Sequence, residues 1–582
     1  MSTTTTTTAP LGPIAHTLAH LPTPTTLLLA FVVLLPLGLY ALYTHLAFST
    51  NTPYIRGLPE PPGAVPFFGH LPLLGGDHPT RFQKWSVENG WAVLQARLGR
   101  RRVVVLNTFA AAEWFMKKNA AATIDRPVFE TFHGVVSGSQ GATIGTSPWD
   151  ASCKRKRTAV GAFMTRPAIQ RSAAPLFDLE IHGLITALLD AASAPSSTSP
   201  SSSPSDLSLP TEVDPRPLLL RATLNFTTLL CYASRFASPA DPLLADILAT
   251  AHAVSTFRST NGNDQDHVSP LLCYVPIPSM RAQTRGWSER RALAKSLSAR
   301  RDVWLDALLE RVRKAVGEGR AVSCIAEGLL RDGDVEGAKL NEAEIRSINV
   351  GLVSGGFETL ATTAVAGLGF LSSEEGQGVQ RKAYEAVMEA YGGNVEEAWE
   401  KCLGEEKVEY VVALVREMLR YYCAIQLLPP RQTFKEMEYE GVRIPKGVTV
   451  YVNAQAINHD ETAYGPDAHV FRPERWLDPD NKFKVPAPYH YSYGAGSRAC
   501  TAIALSNRIL YTMFVRLIIH FKFTASKEAP PTLDYIDFNE NRKDASVLPK
   551  RFRLKLEERE PREVLERNLE QSKNATSHLV LA

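Results

Sequence analysis

The chain has 582 residues, 45% of them hydrophobic and 21% charged, with a formal net charge of +3. This is ordinary globular composition, enough for one large domain or several small ones, and so slight a charge excess argues against a nucleic-acid partner. Seven cysteines, an odd number with no C-x-x-C pair, exclude a disulfide scaffold and point to a reduced, cytosol-facing chain.

No Asp, Glu, Lys or Arg precedes Arg56. Within that stretch Leu27 to Tyr43 ("LLLAFVVLLPLGLYALY") is almost purely apolar and extends to Phe48. It is long enough to cross a bilayer. It lacks the basic n-region of a signal peptide. Arg56, the nearest flanking charge, places the main body on the cytosolic side. Residues 1–50 therefore read as a tail and membrane anchor, and 51–70 as a proline-rich hinge ("LPEPPGAVPFFGH", Leu58 to His70) that forms a stiff spacer.

A body follows over 71–560. "WAVLQARL" and "RRVVVLN", on either side of Gly99, predict a β-hairpin. The pattern from Ala110 to Tyr421 is mostly helical. It is interrupted by the low-complexity insert Ser193 to Asp206 ("SAPSSTSPSSSPSD"), which reads as a surface loop. Asn341 to Leu371 predicts one helix of about 30 residues, apolar nearly all round in its middle and therefore buried. "EYEGVRI" and "TVYVNAQAI" read as two short strands. The fold class is mainly α with small β-sheets, and 561–582 form a C-terminal tail.

The buried helix contradicts its own surroundings. "SGGFETLATT" puts Gly355, Gly356, Glu358 and Thr359 in its middle. Each glycine costs a helix about 1 kcal/mol against alanine, and an ionisable group in an apolar stretch costs more. Such violations concentrate at working sites. The glycines let something flat approach the backbone, Thr359 can bond the carbonyl one turn back, and Glu358 can supply protons. Close helix–helix packing at the glycines is the other reading. "EMLR" puts Glu417 and Arg420 on one helical face, and "FRPERW" offers Arg475 as the third partner that a buried pair needs. "WDASCKRKR" (Trp149 to Arg157) is a basic helix start, either a solvated face or a docking patch.

"YSYGAGSRACTA" (Tyr491 to Ala502) precedes a long apolar helix. Its Gly494–Ala499 stretch fits the dinucleotide fingerprint formally, but no Asp or Glu occurs between Asp480 and Glu528 to hold a ribose. Cys500 instead stands where unpaired N–H groups and a helix dipole lower a thiol pKa. A nucleophile, a metal ligand and a small buried thiol all remain open from this stretch alone.

In this order and spacing, these motifs resemble the cytochrome P450 superfamily over roughly residues 55 to 560. The family loop F-x-x-G-x-R-x-C-x-G is matched by Tyr493, Gly496, Arg498, Cys500 and Ala502, with conservative departures at the two ends. The resemblance implies the P450 fold and haem b, with Cys500 as the thiolate ligand of its iron. It implies Arg498, Arg431 and Trp149 near the haem propionates, and Glu417, Arg420 and Arg475 as a structural triad. Gly355 and Gly356 would border the oxygen site, and Glu358 and Thr359 would deliver protons. The arginine the family carries four residues after the tryptophan is Cys153 here, and which of Lys154, Arg155, Lys156 or Arg157 replaces it is open.

The wording around these motifs is similar to that of fungal phenylacetate hydroxylases. This implies a monooxygenase that hydroxylates the ring of phenylacetate or a hydroxyphenylacetate with O2. Electrons would come from NADPH–cytochrome P450 reductase. The enzyme would be held in the endoplasmic reticulum membrane by one helix, with its catalytic domain in the cytosol. Alternatives are another small or secondary-metabolite substrate, or an isomerase or dehydratase of the same fold. "FRSTNGNDQD" offers Arg258 and Gln265 as substrate-carboxylate donors.

Overall fold

A computed structural model of the chain describes residues 24–139, 141–193, 212–238, 240–263, 266, 278–320, 323–331, 340–478 and 489–579. Gln265 and nearly all of the Ser/Pro insert lie outside these residues.

Helices dominate, as the periodicity predicts. The centre of the body is the helix Glu342–Ser372. Asn341 starts it with a reciprocal capping box: its side chain accepts from the Glu344 N–H at 2.9 Å, and the Glu344 carboxylate accepts from the Asn341 N–H at 3.0 Å. Every residue from Leu360 to Ser373 is buried, which explains why this helix has no polar face.

It packs closely on the helix Arg216–Tyr232. Gly356 makes that approach possible, since a Cβ there would stand 2.7 Å from Cγ2 of Thr227. The helix Ile503–His520, which follows the cysteine loop, is mostly buried as well, and wholly so from Ile509 onward.

The hairpin forms as expected. Val93–Leu98 and Arg101–Leu106 pair antiparallel across Gly99, whose φ of +56° suits glycine. Arg101–Leu106 also pairs parallel with Thr449–Val452, which pairs antiparallel with Arg431–Gln432. The run "TVYVNAQAI" thus divides. Its first half is the strand Thr449–Val452, and its second half is the short helix Ala454–Ile457. The Asn453 side chain caps that helix by accepting from the Ala456 N–H. The run "EYEGVRI" is itself a hairpin, Met437–Tyr439 against Val442–Ile444.

Three helices among the described residues are long and apolar enough to cross a membrane. Those within Arg166–Ser193 and Ile503–His520 are mostly buried in the body, whereas Phe31–Phe48 is almost entirely exposed. The helix Pro24–Phe48 runs through Pro36 without ending. Its last turn is fixed to the body, where the Ala47 carbonyl accepts from the Phe67 N–H at 2.8 Å and from Arg97 Nη1 at 3.0 Å. The proline-rich segment after it does not stand free. The Gln95 amide donates to the carbonyls of Ile55 and Leu58, and His70 is fully buried.

Within the C-terminal tail, Arg562–Thr576 form a helix. It buries Leu565 and Asn568, and Ser572 accepts from Trp399 Nε1 at 2.9 Å.

Candidate functional site

One cavity of about 320 Å³ lies between the central helix and the cysteine loop. The loop is shaped by two glycines, Gly494 and Gly496, both at φ +65°. A Cβ on Gly496 would come within 1.8 Å of the Met116 carbonyl oxygen, so the loop seats directly on the backbone of Trp114–Lys118. The Cys500 N–H donates to the Tyr493 carbonyl at 2.9 Å and closes the turn. The Tyr493 hydroxyl donates to Asn507 Oδ1 at 2.9 Å, tying the loop to the helix behind it.

Cys500 faces the cavity. The thiol direction differs from the sequence expectation. Burial among protein atoms pushes its pKa up; the Ala502 N–H, 3.4 Å from Sγ, and the Arg157 charge pull it down but are outweighed. The N–H effect is present, but desolvation is larger.

Four arginines line this end of the cavity: Arg126, Arg157, Arg431 and Arg498. Each also holds the loop or its surroundings. Arg431 Nη2 donates to the Ala495 carbonyl at 2.9 Å, and Arg157 Nη2 to that of Ala499 at 3.1 Å. Arg498 donates to the carbonyls of Ile124, Ile144 and Ser147, the last at 2.8 Å. Arg126 donates to those of Pro429 and Pro430. Burial lowers the pKa of all four. Arg431 falls to about 9, with Arg498 and Arg157 adding repulsion. The Nε atoms of Arg126 and Arg498 are buried without a hydrogen-bond partner. Buried, mutually repelling cations with spare donors form a receptacle for an anion.

The basic helix resolves residue by residue. Arg157 is its member in the cavity. Arg155 pairs with Glu344 at 2.6 Å, and Lys156 is buried, donating to the Ala142 carbonyl at 2.7 Å. Lys154 lies over the Trp149 ring at 5.3 Å. Lys156 and Arg157 are thus turned into the fold, while Lys154 stays exposed and Arg155 partly so. Trp149 itself is not among the residues described as lining the cavity. Its ring centroid stands 5.9 Å from the Arg498 guanidinium carbon, and its backbone N–H donates to Asp125 Oδ1 at 2.7 Å.

On the opposite wall the two glycines of the central helix have different duties. A Cβ on Gly355 would meet nothing within 4 Å, so that glycine opens onto the cavity, while Gly356 serves the helix–helix contact. The Thr359 hydroxyl lines the cavity and donates to the Gly355 carbonyl at 2.9 Å. Glu358 is buried and accepts from Arg258 Nη2 at 3.3 Å. Burial raises its pKa, against the opposing influence of Arg258 and the Ser546 hydroxyl.

Glu417 and Arg420 form a bidentate pair at 2.7 and 2.9 Å, both fully buried. Arg475 Nε reaches Glu417 Oε1 at 3.0 Å, and Trp476 Nε1 donates to Oε2 at 3.0 Å. Burial alone would raise the Glu417 pKa; the two arginines reverse it and hold the carboxylate below the usual range. Arg420 also donates to the carbonyls of Asn458, Ala468 and Val470. This network therefore joins the segments behind the cysteine loop.

The Cytochrome P450 family model matches residues 59–556. The chain belongs to the cytochrome P450 family. It is 39% identical to phenylacetate 2-hydroxylase of Emericella nidulans over 535 residues, covering 91% of this chain and 95% of that protein. It is 32% identical to 3-hydroxyphenylacetate 6-hydroxylase of the same organism, covering 87% and 89% respectively. Human cytochrome P450 1B1 is 24% identical over 88% of this chain and 89% of its own length. The chain is thus a P450 monooxygenase, and P450 proteins bind haem b through a cysteine thiolate. The cavity fits that group on its own chemistry, with a cysteine facing in, four arginines suited to two propionates, and a glycine opening the facing helix. Arg126 has no counterpart in the sequence expectations. Its only local signal is a proline at 127, which favours extended backbone at residue 126 and says nothing of its neighbours.

Proposed function

We propose that this P450 hydroxylates the ring of phenylacetate or a hydroxyphenylacetate, with Cys500 as the iron ligand. The identity to phenylacetate 2-hydroxylase over nearly the whole of both chains carries the substrate reading. Haem, when bound, supplies activation of O2 at its iron, and a metal ion deprotonates the thiol that coordinates it.

The protein's own residues do the rest. Arg126, Arg157, Arg431 and Arg498 would hold the two propionates. Gly355 would leave the cavity open on the central helix. Phe129, Phe132 and Ile144 supply apolar wall for a small aromatic ring. Arg258 meets the substrate carboxylate. Its Nε is buried with no hydrogen-bond partner, so a donor is spare even while Nη2 holds Glu358. An uncharged ring would leave that donor unpaired, at about 1–3 kcal/mol. Glu358 stores a proton, which its raised pKa permits, and the Thr359 hydroxyl, one residue on, stands in the cavity wall.

The exposed apolar helix Phe31–Phe48 supports a single-pass anchor with the body on the cytosolic face. The endoplasmic reticulum is the compartment that suits this arrangement, and NADPH–cytochrome P450 reductase the electron donor. The test is a spectral titration with phenylacetate, 3-hydroxyphenylacetate and uncharged or fatty-acid controls, followed by product analysis with reductase and NADPH. A high-spin shift and ring-hydroxylated product from either acid support the reading. Shift and product only from larger or uncharged ligands overturn it.

A further inference from the structure

Behind Glu358 a line of polar groups runs to the surface. Glu358 itself is not among the residues described as lining the cavity; its carboxylate turns to Arg258. Four residues of the segment Arg542–Ser546 do stand in the cavity wall: Arg542, Asp544, Ala545 and Ser546. The Ser546 hydroxyl accepts from Ser255 Oγ at 3.3 Å and draws the Glu358 pKa down, against burial. The Asp544 side chain is 2% exposed, and its Oδ2 accepts from Asn541 Nδ2 at 2.9 Å. The same Oδ2 lies 3.3 Å from Nε2 of His252, whose side chain is 46% exposed. The other oxygen, Oδ1, is buried with no hydrogen-bond partner.

We infer that His252 and Asp544 are the proton inlet that reloads Glu358. The inference rests on reading Glu358 as the acid of the monooxygenase reaction. Hydroxylation consumes one O2, two electrons and two protons for each alcohol and water formed. An acid buried on the central helix must therefore be recharged through the protein in every turnover.

Arg258 cannot do this, because a guanidinium does not release its proton; it anchors Glu358 instead. Histidine exchanges protons with water near neutral pH. His252 Nε2–H gives its proton to Asp544 Oδ2. The protonated carboxyl turns about its Cβ–Cγ bond and delivers that same proton, through a water or the Ser546 hydroxyl, to the Glu358 carboxylate, which leaves Asp544 ionised again. His252 regains a proton from solvent. Only protons move, and every group returns to its starting state.

The charges facing Glu358 are Arg258, His252 and Asp544, with Arg301 acting on Arg258 from the next helix. Burial favours the protonated form of both carboxyls, so each can carry a proton.

The test compares Asp544→Asn, Asp544→Glu, His252→Gln and Glu358→Gln in the full-length haem-loaded enzyme with reductase. Asp544→Asn should raise hydrogen peroxide released per product on the order of tenfold. It should also enlarge the solvent deuterium isotope effect on kcat, and Asp544→Glu should restore both. His252→Gln should move both in the same direction. An infrared titration without turnover adds an independent readout. Removing the Asp544 charge should shift protonation of Glu358 to lower pH. If Glu358→Gln uncouples but Asp544→Asn and His252→Gln match the native enzyme, the inlet is wrong and the acid reading stands. If Glu358→Gln stays fully coupled, the acid reading fails and the inlet with it.

Discussion

The Arg157 guanidinium donates to the carbonyl of Ala499, the residue before Cys500, at 3.1 Å. One side chain thus braces the cysteine loop and adds positive charge to the wall that faces it. Arg157→Ala should lower haem content per chain, because it removes a charge-assisted hydrogen bond worth about 1.5–3 kcal/mol. Arg157→Lys should recover part of it. Full haem occupancy in the alanine variant would show that the other three arginines suffice.

Glu417→Ala should yield little haem-loaded protein. It strands Arg420 in the interior, a loss of about 3–5 kcal/mol, while Arg475 keeps Asp467 at 3.3 Å. The same network sets an acid limit. The folded carboxylate titrates below its ordinary range. Its contribution is therefore complete above the ordinary carboxylate pKa and is lost as pH falls through the lower folded value. Acid unfolding of the native enzyme, compared with Glu417→Gln, measures this, and coincident acid transitions would argue against it.

Two glycines offer a contrast. Gly496→Ala should prevent assembly of the loop, since its Cβ would collide with the Met116 carbonyl in a left-handed backbone. Gly355→Ala should fold normally, because nothing lies within 4 Å of the new methyl group, and should weaken ligand-induced spectral shifts by filling the cavity. Equal yields of both variants would contradict the loop geometry.

Local signals made some of this legible. The hairpin around Gly99 and the long helix are set by neighbouring residues, and Glu417 and Arg420 share a helix face three positions apart. Relations between distant segments were not legible. Arg258 reads from sequence as a substrate donor only, yet it bonds Glu358, 100 residues on. Arg126 joins three other arginines through backbone carbonyls at 429 and 430 that no local pattern announces. The direction of the Cys500 thiol shift was misread because the N–H groups and dipole are local, while desolvation comes from the whole fold. Residues 562–576 look like a tail because their helix has a strongly polar outer side; only the fold shows Leu565 and Asn568 turned inward.

Thr359→Ala should still bind haem but waste electrons. Its hydroxyl lines the cavity next to the buried acid, and general acid assistance contributes about 10²–10⁴-fold. NADPH oxidation should persist while product per NADPH falls and hydrogen peroxide appears. Full coupling would remove Thr359 from the proton path.

The carbon-monoxide difference spectrum of Cys500→Ser, reduced and purified beside the native enzyme, tests the centre of the account. A hydroxyl does not replace a thiolate on iron. The native chain should give the band of a thiolate-ligated haem, and the variant should lack it even where haem is retained. The same thiolate band in both would mean that another cysteine holds the iron, and the site built around Cys500 would fall.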